Sequence, residues 1–112
     1  MNRIEAAAEA AEQQIGGYEP ENAADLDQFL GSLPDYFGAV AQAFRNVADT
    51  LADRFPVEAV VVERLREISA TVGGLSDFSG EAHSVHRASH ERELERIENP
   101  RPGEGFWDVS NQ

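Results

Sequence analysis

An all-α fold built around a helical hairpin is predicted by two features of this sequence. Apolar residues recur at steps of three and four over long stretches, which is the pattern of helices with one buried side. The segment Arg54-Phe55-Pro56-Val57 divides two of these stretches, because proline disfavours helix at the residue before it and fits the start of a helix. We therefore expect helices over about 34–55 and 57–98, joined by a tight turn.

A short N-terminal helical segment is expected before the hairpin. An apolar stripe runs along Arg3–Ile15, and Gly16 and Gly17 follow it as a stop signal. Asn22 is a candidate N-cap for a second short helix, and Leu33–Pro34 reads as the start of a new helix at an angle to it.

The two hairpin helices are predicted to meet along an apolar seam. In the first helix the seam comprises Phe37, Val40, Phe44, Val47 and Leu51, with the small Ala41 and Ala48 beside it. In the second helix it comprises Val61, Leu65, Ile68, Val72, Leu94 and Ile97. Glycine is unfavourable inside a helix, so Gly73, Gly74 and Gly80 predict a bend or break near 73–80.

Residues 1–98 are expected to form a single helical domain, followed by an extended Pro/Gly-rich tail over 99–112. The tail ends with an aromatic pair, Phe106 and Trp107. Exposed aromatic side chains are unfavourable unless they dock, so we expect this pair to contact either the chain's own hairpin or a partner.

Composition restricts the range of partners and compartments. The formal net charge is −12 and the chain contains no cysteine, which excludes disulfides and thiol chemistry. A chain this acidic repels phosphate backbones, so we expect no nucleic-acid partner but a protein with a basic surface or a homo-oligomer. No apolar run is long enough for a transmembrane helix or a signal peptide, so we expect no membrane association and a cytoplasmic location.

The three histidines, His83, His86 and His90, lie on one helical stripe in line with the predicted seam. Imidazoles one turn apart can chelate Zn²⁺, which makes these residues a candidate metal site. Histidine also titrates near neutral pH, so a pH-sensitive contact is an alternative. In the simplest interpretation the histidines lie beyond the end of the shorter helix and are only solvated.

No sequence motif points to a catalytic reaction. His90-Glu91 lacks the second histidine of a zinc-protease helix, and Gly73-Gly74 is neither a phosphate loop nor a dinucleotide fingerprint. The chain is therefore expected not to be an enzyme.

The strings "HERELERIENPRP" and "FWDV", together with the Ala- and Arg-rich texture, resemble small acidic helical proteins of actinobacterial conjugative plasmids and integrative elements. The hairpin outline is also similar to the WXG100 proteins of type VII secretion, although the turn at Arg54–Val57 contains no Trp-x-Gly. The first resemblance implies an accessory protein of a conjugation system and the second a secreted protein.

Taken together, the sequence predicts a non-enzymatic, self-associating interaction protein. The alternatives are a metal-binding or pH-responsive protein that uses the histidines, and a WXG100-like secreted protein.

Overall fold

The computed structural model describes the backbone of residues 1–98 and the side chains of residues 1–92. Three helices make up this range: α1 (Arg3–Gly16), α2 (Ala23–Arg54) and α3 (Ala59–Glu98). α2 and α3 pack along each other as an antiparallel hairpin, and no residue of α1 is buried. The molecule measures 70 × 27 × 14 Å, so its smallest dimension is about one helix diameter. The predicted all-α hairpin and N-terminal helix are confirmed, and the 99–112 tail lies outside the described residues.

α1 is held by its own end groups rather than by packing. Asn2 caps it, because the Asn2 side chain accepts from the Glu5 amide at 2.9 Å and the Glu5 side chain accepts from the Asn2 amide at 3.0 Å. This reciprocal pair is a capping box, and it satisfies amides that the first turn leaves without partners. The apolar Ile4 and Ile15 remain exposed, so α1 contributes little to the core.

The connector between α1 and α2 folds against the start of α2. The Tyr18 ring stacks on Phe29 with centroids 3.9 Å apart, and its hydroxyl donates to Asp25 at 3.0 Å. Partial burial, the hydrogen bond to Asp25 and the nearby Asp25 and Glu21 charges all raise the pKa of Tyr18. Asn22 caps α2 by accepting from the Asp25 amide at 2.8 Å, as the sequence predicted.

The predicted helix start at Leu33–Pro34 is wrong, because α2 runs through Pro34 without interruption. The helix is continuous just before the proline as well, where the Ser32 hydroxyl donates to the Gln28 carbonyl one turn earlier. Proline inside a helix removes one backbone donor and is normally unfavourable by about 3 kcal/mol. α2 therefore depends on packing against α3 to stay helical at this point.

Contacts with α3 supply that support at Pro34. The Pro34 carbonyl accepts a hydrogen bond from the Ser76 hydroxyl at 2.8 Å. A Cβ placed on Gly80 would lie 3.9 Å from the Pro34 ring, an ordinary van der Waals distance, so this part of α3 packs directly beside the proline. The hydrogen bond from Ser76 and the packing of α3 thus keep α2 helical at Pro34, although proline locally favours a helix start.

No break occurs near 73–80, where the glycines predicted a bend or break, since α3 is a single α-helix from Ala59 to Glu98. Gly73 and Gly80 lie next to α2, where a Cβ would come within 3.9 Å of Ala41 and of Pro34 respectively. Packing against α2 along this stretch offsets the low helix propensity of glycine.

The turn between the two long helices lies where the sequence placed it. Phe55 is the C-cap of α2, and its amide donates to the Leu51 carbonyl at 3.2 Å. α3 begins at Ala59, two residues later than predicted. The predicted turn at Arg54–Val57 is therefore confirmed.

The hairpin seam has a seven-residue repeat that sequence reasoning placed only in part. On α2 it includes Asp27, Pro34, Ala41 and Ala48, and on α3 it includes Val62, Ser69, Ser76 and His83. Ala48 and Val62 are the buried apolar residues of the described chain. The predicted Phe37, Val40, Phe44, Leu51, Leu65 and Val72 are half-buried, as seam positions or beside it.

Three residues assigned to the seam from sequence are instead exposed: Val47, Val61 and Ile68 are 48%, 44% and 43% exposed. The seam passes one residue later on each helix, through Ala48, Val62 and Ser69. Small and hydroxyl side chains take these central positions because the helices approach closely there. The Ser69 hydroxyl donates to the Ala41 carbonyl at 2.7 Å, which allows a polar side chain to be buried. Leu94 and Ile97 lie outside the described side chains.

We predict that Ala48→Leu lowers the free energy of unfolding by about 1–3 kcal/mol, because the added bulk must separate two closely packed helices. The neighbouring substitution Val47→Leu adds bulk at an exposed position and should change it by less than about 0.5 kcal/mol. Thermal and urea melts of the two variants measure the difference. A larger effect from Val47→Leu than from Ala48→Leu would contradict this assignment and would place Val47 in the seam, as the sequence predicted.

Candidate functional site

His83 and His86 face α2 rather than solvent beyond it. Because α2 begins at Ala23, it extends past His83 and His86, whose side chains are 24% and 19% exposed. The simplest interpretation, that the stripe lies beyond the shorter helix, is therefore wrong for these two residues. They meet Asp27, which is the seam residue of α2 one heptad before Pro34.

Asp27, His83, His86 and Arg87 form what we call the His–Asp cluster. Asp27 Oδ1 lies 3.0 Å from His83 Nε2, 3.6 Å from His86 Nδ1 and 3.9 Å from Arg87 Nε. A carboxylate can only accept hydrogen bonds, so the short contact requires a proton on Nε2 of His83. One carboxylate from α2 thus faces three cationic or protonatable groups from α3.

The electrostatic balance in the cluster keeps Asp27 ionised. Partial burial alone would raise the pKa of Asp27. The hydrogen bond from His83, the charges of His83 and Arg87, and the contact with His86 act in the opposite direction and together lower that pKa below its ordinary value. The cluster therefore carries a carboxylate across the whole physiological pH range.

Packing around the cluster fixes the histidine rings. A Cβ on Gly31 would lie 3.0 Å from His83 Cε1, so the absence of a side chain at this position admits the imidazole. The His86 ring is nearly parallel to that of His90, with an interplanar angle of 10° and centroids 6.2 Å apart. His86 Nδ1 is buried without a hydrogen-bond partner among the described residues, since 3.6 Å to Asp27 is too long.

The three histidines do not converge on one point in this structure. His83 points to Asp27, while His90 stacks beside His86. In the part of the chain that the structure describes, no group of three His, Asp or Glu side chains is arranged to hold a metal ion. The Zn²⁺ site at His83, His86 and His90 stays a prediction that only a binding measurement tests.

The hairpin also has two chemically different faces, which an ion pair between the helices helps to identify. Arg66 follows the seam residue Leu65 and Asp49 follows Ala48, and their side chains meet at 3.2 Å. In an antiparallel pair, residues that follow the seam on both helices share one face, so residues that precede it share the other. The first face, which we call the acidic face, carries four carboxylates from both helices, namely Asp35, Asp49, Glu63 and Asp77, together with the guanidinium groups of Arg45, Arg66 and Arg87.

The second face is almost entirely apolar, and we call it the apolar face. Its residues either directly precede a seam residue in the sequence or lie about one helical turn away from such a residue on the same side of the helix. They are Leu33, Tyr36, Val40 and Val47 from α2 and Val61, Ile68, Leu75, Phe78 and Val85 from α3. Phe78 and Val85 are 69% and 66% exposed. Between Val61 and Val85 this side of α3 has one charged residue, Arg64, which pairs with Glu67 at 2.9 Å.

Sequence reasoning placed the histidines together but missed their partner Asp27 and the apolar face. Asp27 lies seven residues before Pro34 and so belongs to the same seam. The sequence prediction misses it because it starts a new helix at Leu33–Pro34 and therefore does not extend the seam to earlier residues. Val47, Val61 and Ile68 were assigned to the seam and so were not recognised as surface. Phe106 and Trp107 lie outside the described residues.

Comparison with protein-family models, with curated proteins and with solved structures finds no match to this chain. None of the helices in residues 1–98 is long and apolar enough to cross a membrane. The His–Asp cluster and the apolar face are therefore the two features of this chain that point to a function.

We predict that Asp27→Asn lowers the melting temperature at pH 7, because it removes the carboxylate that His83 and Arg87 face. A lowered pKa in the folded state means that ionised Asp27 stabilises the fold above the ordinary carboxyl pKa. The difference between parent and variant should therefore shrink as the pH falls below about 4. Melts of both proteins from pH 7 to 2.5, with Asp35→Asn as an exposed control on the same helix, measure this. An equal effect from the control would mean that Asp27 acts only through net charge.

Proposed function

We propose that this chain is a non-enzymatic interaction protein whose apolar face binds other protein helices. The observation that carries the proposal is a single-layer hairpin with one face of exposed apolar side chains. Monomeric soluble proteins rarely expose apolar patches larger than a few hundred Å², and larger ones usually mark interaction sites. The apolar face spans both helices and is largely free of charge, as a binding surface requires.

The weak internal core supports the same proposal. Ala48 and Val62 are buried, but no large side chain in the described chain is completely buried. Burial of apolar area is the main favourable term in folding, so a layer this thin gains substantially from a partner that covers its second side. The net charge of −12 over the whole chain favours approach by partners with basic surfaces.

The cellular role that we propose is that of an accessory protein. The resemblance to small proteins of conjugative elements supports a role beside a conjugation system, and a cytoplasmic location is proposed with it. A WXG100-like secreted protein is the alternative that the hairpin outline supports.

A second candidate function is a pH-responsive contact at the His–Asp cluster. The observation that favours it is the meeting of His83 and His86 with Asp27 at the end of the hairpin remote from the α2–α3 turn. Protonation of these rings would place a positive charge beside a carboxylate. Metal binding through His83, His86 and His90 is the other chemistry that the same side chains could support.

We predict that the face is detectable with an apolar dye such as anilinonaphthalene sulfonate. Phe78→Glu places a charge on the face at an exposed position and should remove most of the dye binding, or else most of the self-association if a second molecule covers the face. Asp77→Ser, on the opposite side of α3, serves as the control. The proposal fails if the parent is a monomer that binds no dye and Phe78→Glu changes neither property.

For the pH-responsive candidate, the expected result is that the difference in melting temperature between the parent and a variant with His83, His86 and His90 all replaced by Gln changes between pH 7.5 and 5.5. The charged groups gathered at the cluster are Asp27 from α2 and Arg87 from α3, and the carboxylate makes the shortest contacts with the rings. Glutamine retains hydrogen bonding but does not titrate. Equal pH profiles for the two proteins would remove the pH-responsive candidate, and a Zn²⁺-induced shift confined to the parent would support the metal site instead.

A further inference from the structure

We infer that a second copy of this chain covers the apolar face, so that two hairpins stack face to face as a four-helix bundle. This inference rests on the proposed function, because it names the partner of that same surface. Three properties of the face indicate that the partner is another hairpin: its area, its width and the position of its charges.

The area of the face matches that of a stable dimer. From Val61 to Val85 it extends about 36 Å along α3 at 1.5 Å per residue, and it is two helices, or roughly 20 Å, wide. Each copy would therefore bury on the order of 700 Å², giving about 1,400 Å² in total, whereas stable specific interfaces bury about 1,200–2,000 Å². Stacking of two apolar faces thus reaches the range of a stable interface.

The width of the face favours a two-helix partner. A single helix laid on it would cover about one helix diameter and leave a row of apolar side chains exposed. A second hairpin presents the same width and the same seven-residue spacing of apolar residues on both of its helices. These residues are Leu33, Val40 and Val47 on α2 and Val61, Ile68 and Leu75 on α3. Matching repeats allow the side chains of one layer to fit between those of the other.

The distribution of charge permits two copies of a strongly acidic chain to associate. Each copy carries a net charge of −12, but carboxylates such as Glu63 and Asp77 lie on the face away from the contact. In the stacked dimer the two acidic faces are separated by two helix layers, roughly 20 Å, which exceeds the screening length of about 8 Å at physiological salt. Added salt should strengthen this dimer, because it screens the remaining repulsion between two chains of like charge, whereas it would weaken binding to a basic partner.

The test uses the full chain and exploits its lack of cysteine. Leu75→Cys places a thiol on the apolar face, and Asp77→Cys places one on the acidic face two residues along the same helix. Sedimentation equilibrium gives the mass, and the alkylation rate of each thiol is measured over the same range of protein concentration. We expect a dimer of two 12.3-kDa chains. The Leu75→Cys thiol should become at least tenfold less reactive as the dimer forms, and the Asp77→Cys thiol should keep its rate.

Two further measurements complete the test. Raising the salt from 50 to 500 mM should increase the dimer fraction, and Phe78→Glu should abolish dimerisation while leaving the far-ultraviolet circular dichroism helical. A monomer with a reactive Leu75→Cys thiol at all concentrations would overturn the second-copy inference but leave the proposed interaction function standing. A monomer with a protected thiol would overturn both, because another part of the same chain would then cover the face.

Discussion

The close approach of α2 and α3 is the constraint on which the rest of this structure depends. Small or hydroxyl-bearing residues recur along the seam, and the hydroxyls of Ser69 and Ser76 bond directly to backbone carbonyls of the facing helix. Such bonds hold only while the backbones remain close, and the small Ala41 and the completely buried Ala48 lie on the same seam. The same closeness explains why Pro34 is tolerated within α2 and why the glycines do not end α3.

A seam of small residues has an energetic consequence for the whole molecule. Bulky residues such as Phe44 and Leu65 are only half-buried beside the small ones, and other bulky side chains are left exposed at the flanks. Leu75 and Ile68 are 40% and 43% exposed for this reason. Apolar surface that many hairpins bury between their helices therefore stays exposed on one side of this layer. Its burial by a partner would contribute favourable free energy to association.

The small residues of the seam also explain which parts of the fold the sequence predicts correctly and which it does not. Helical periodicity and the break at Pro56 predicted the hairpin, its turn and α1, because these depend on local signals. The seam was placed one residue too early at Val47 and Val61, because hydrophobicity favours bulky residues, whereas the close approach selects Ala48 and the hydrogen-bonding Ser69. The partner of the histidines was missed because Pro34 reads locally as a helix start and only packing with α3 carries α2 through it.

The His–Asp cluster and the apolar face occupy different parts of the hairpin, and this separates their roles. The cluster continues the seam beyond Ser76, where a charged hydrogen bond between Asp27 and His83 takes the place of serine–backbone contacts. It therefore fixes the first turns of α2 onto α3 rather than the centre of the face around Val40 and Leu75. Loss of the cluster should loosen one end of the hairpin while most of the apolar face keeps its shape. The proposed pH response of the cluster and the proposed association through the face are thus separable properties of one thin layer.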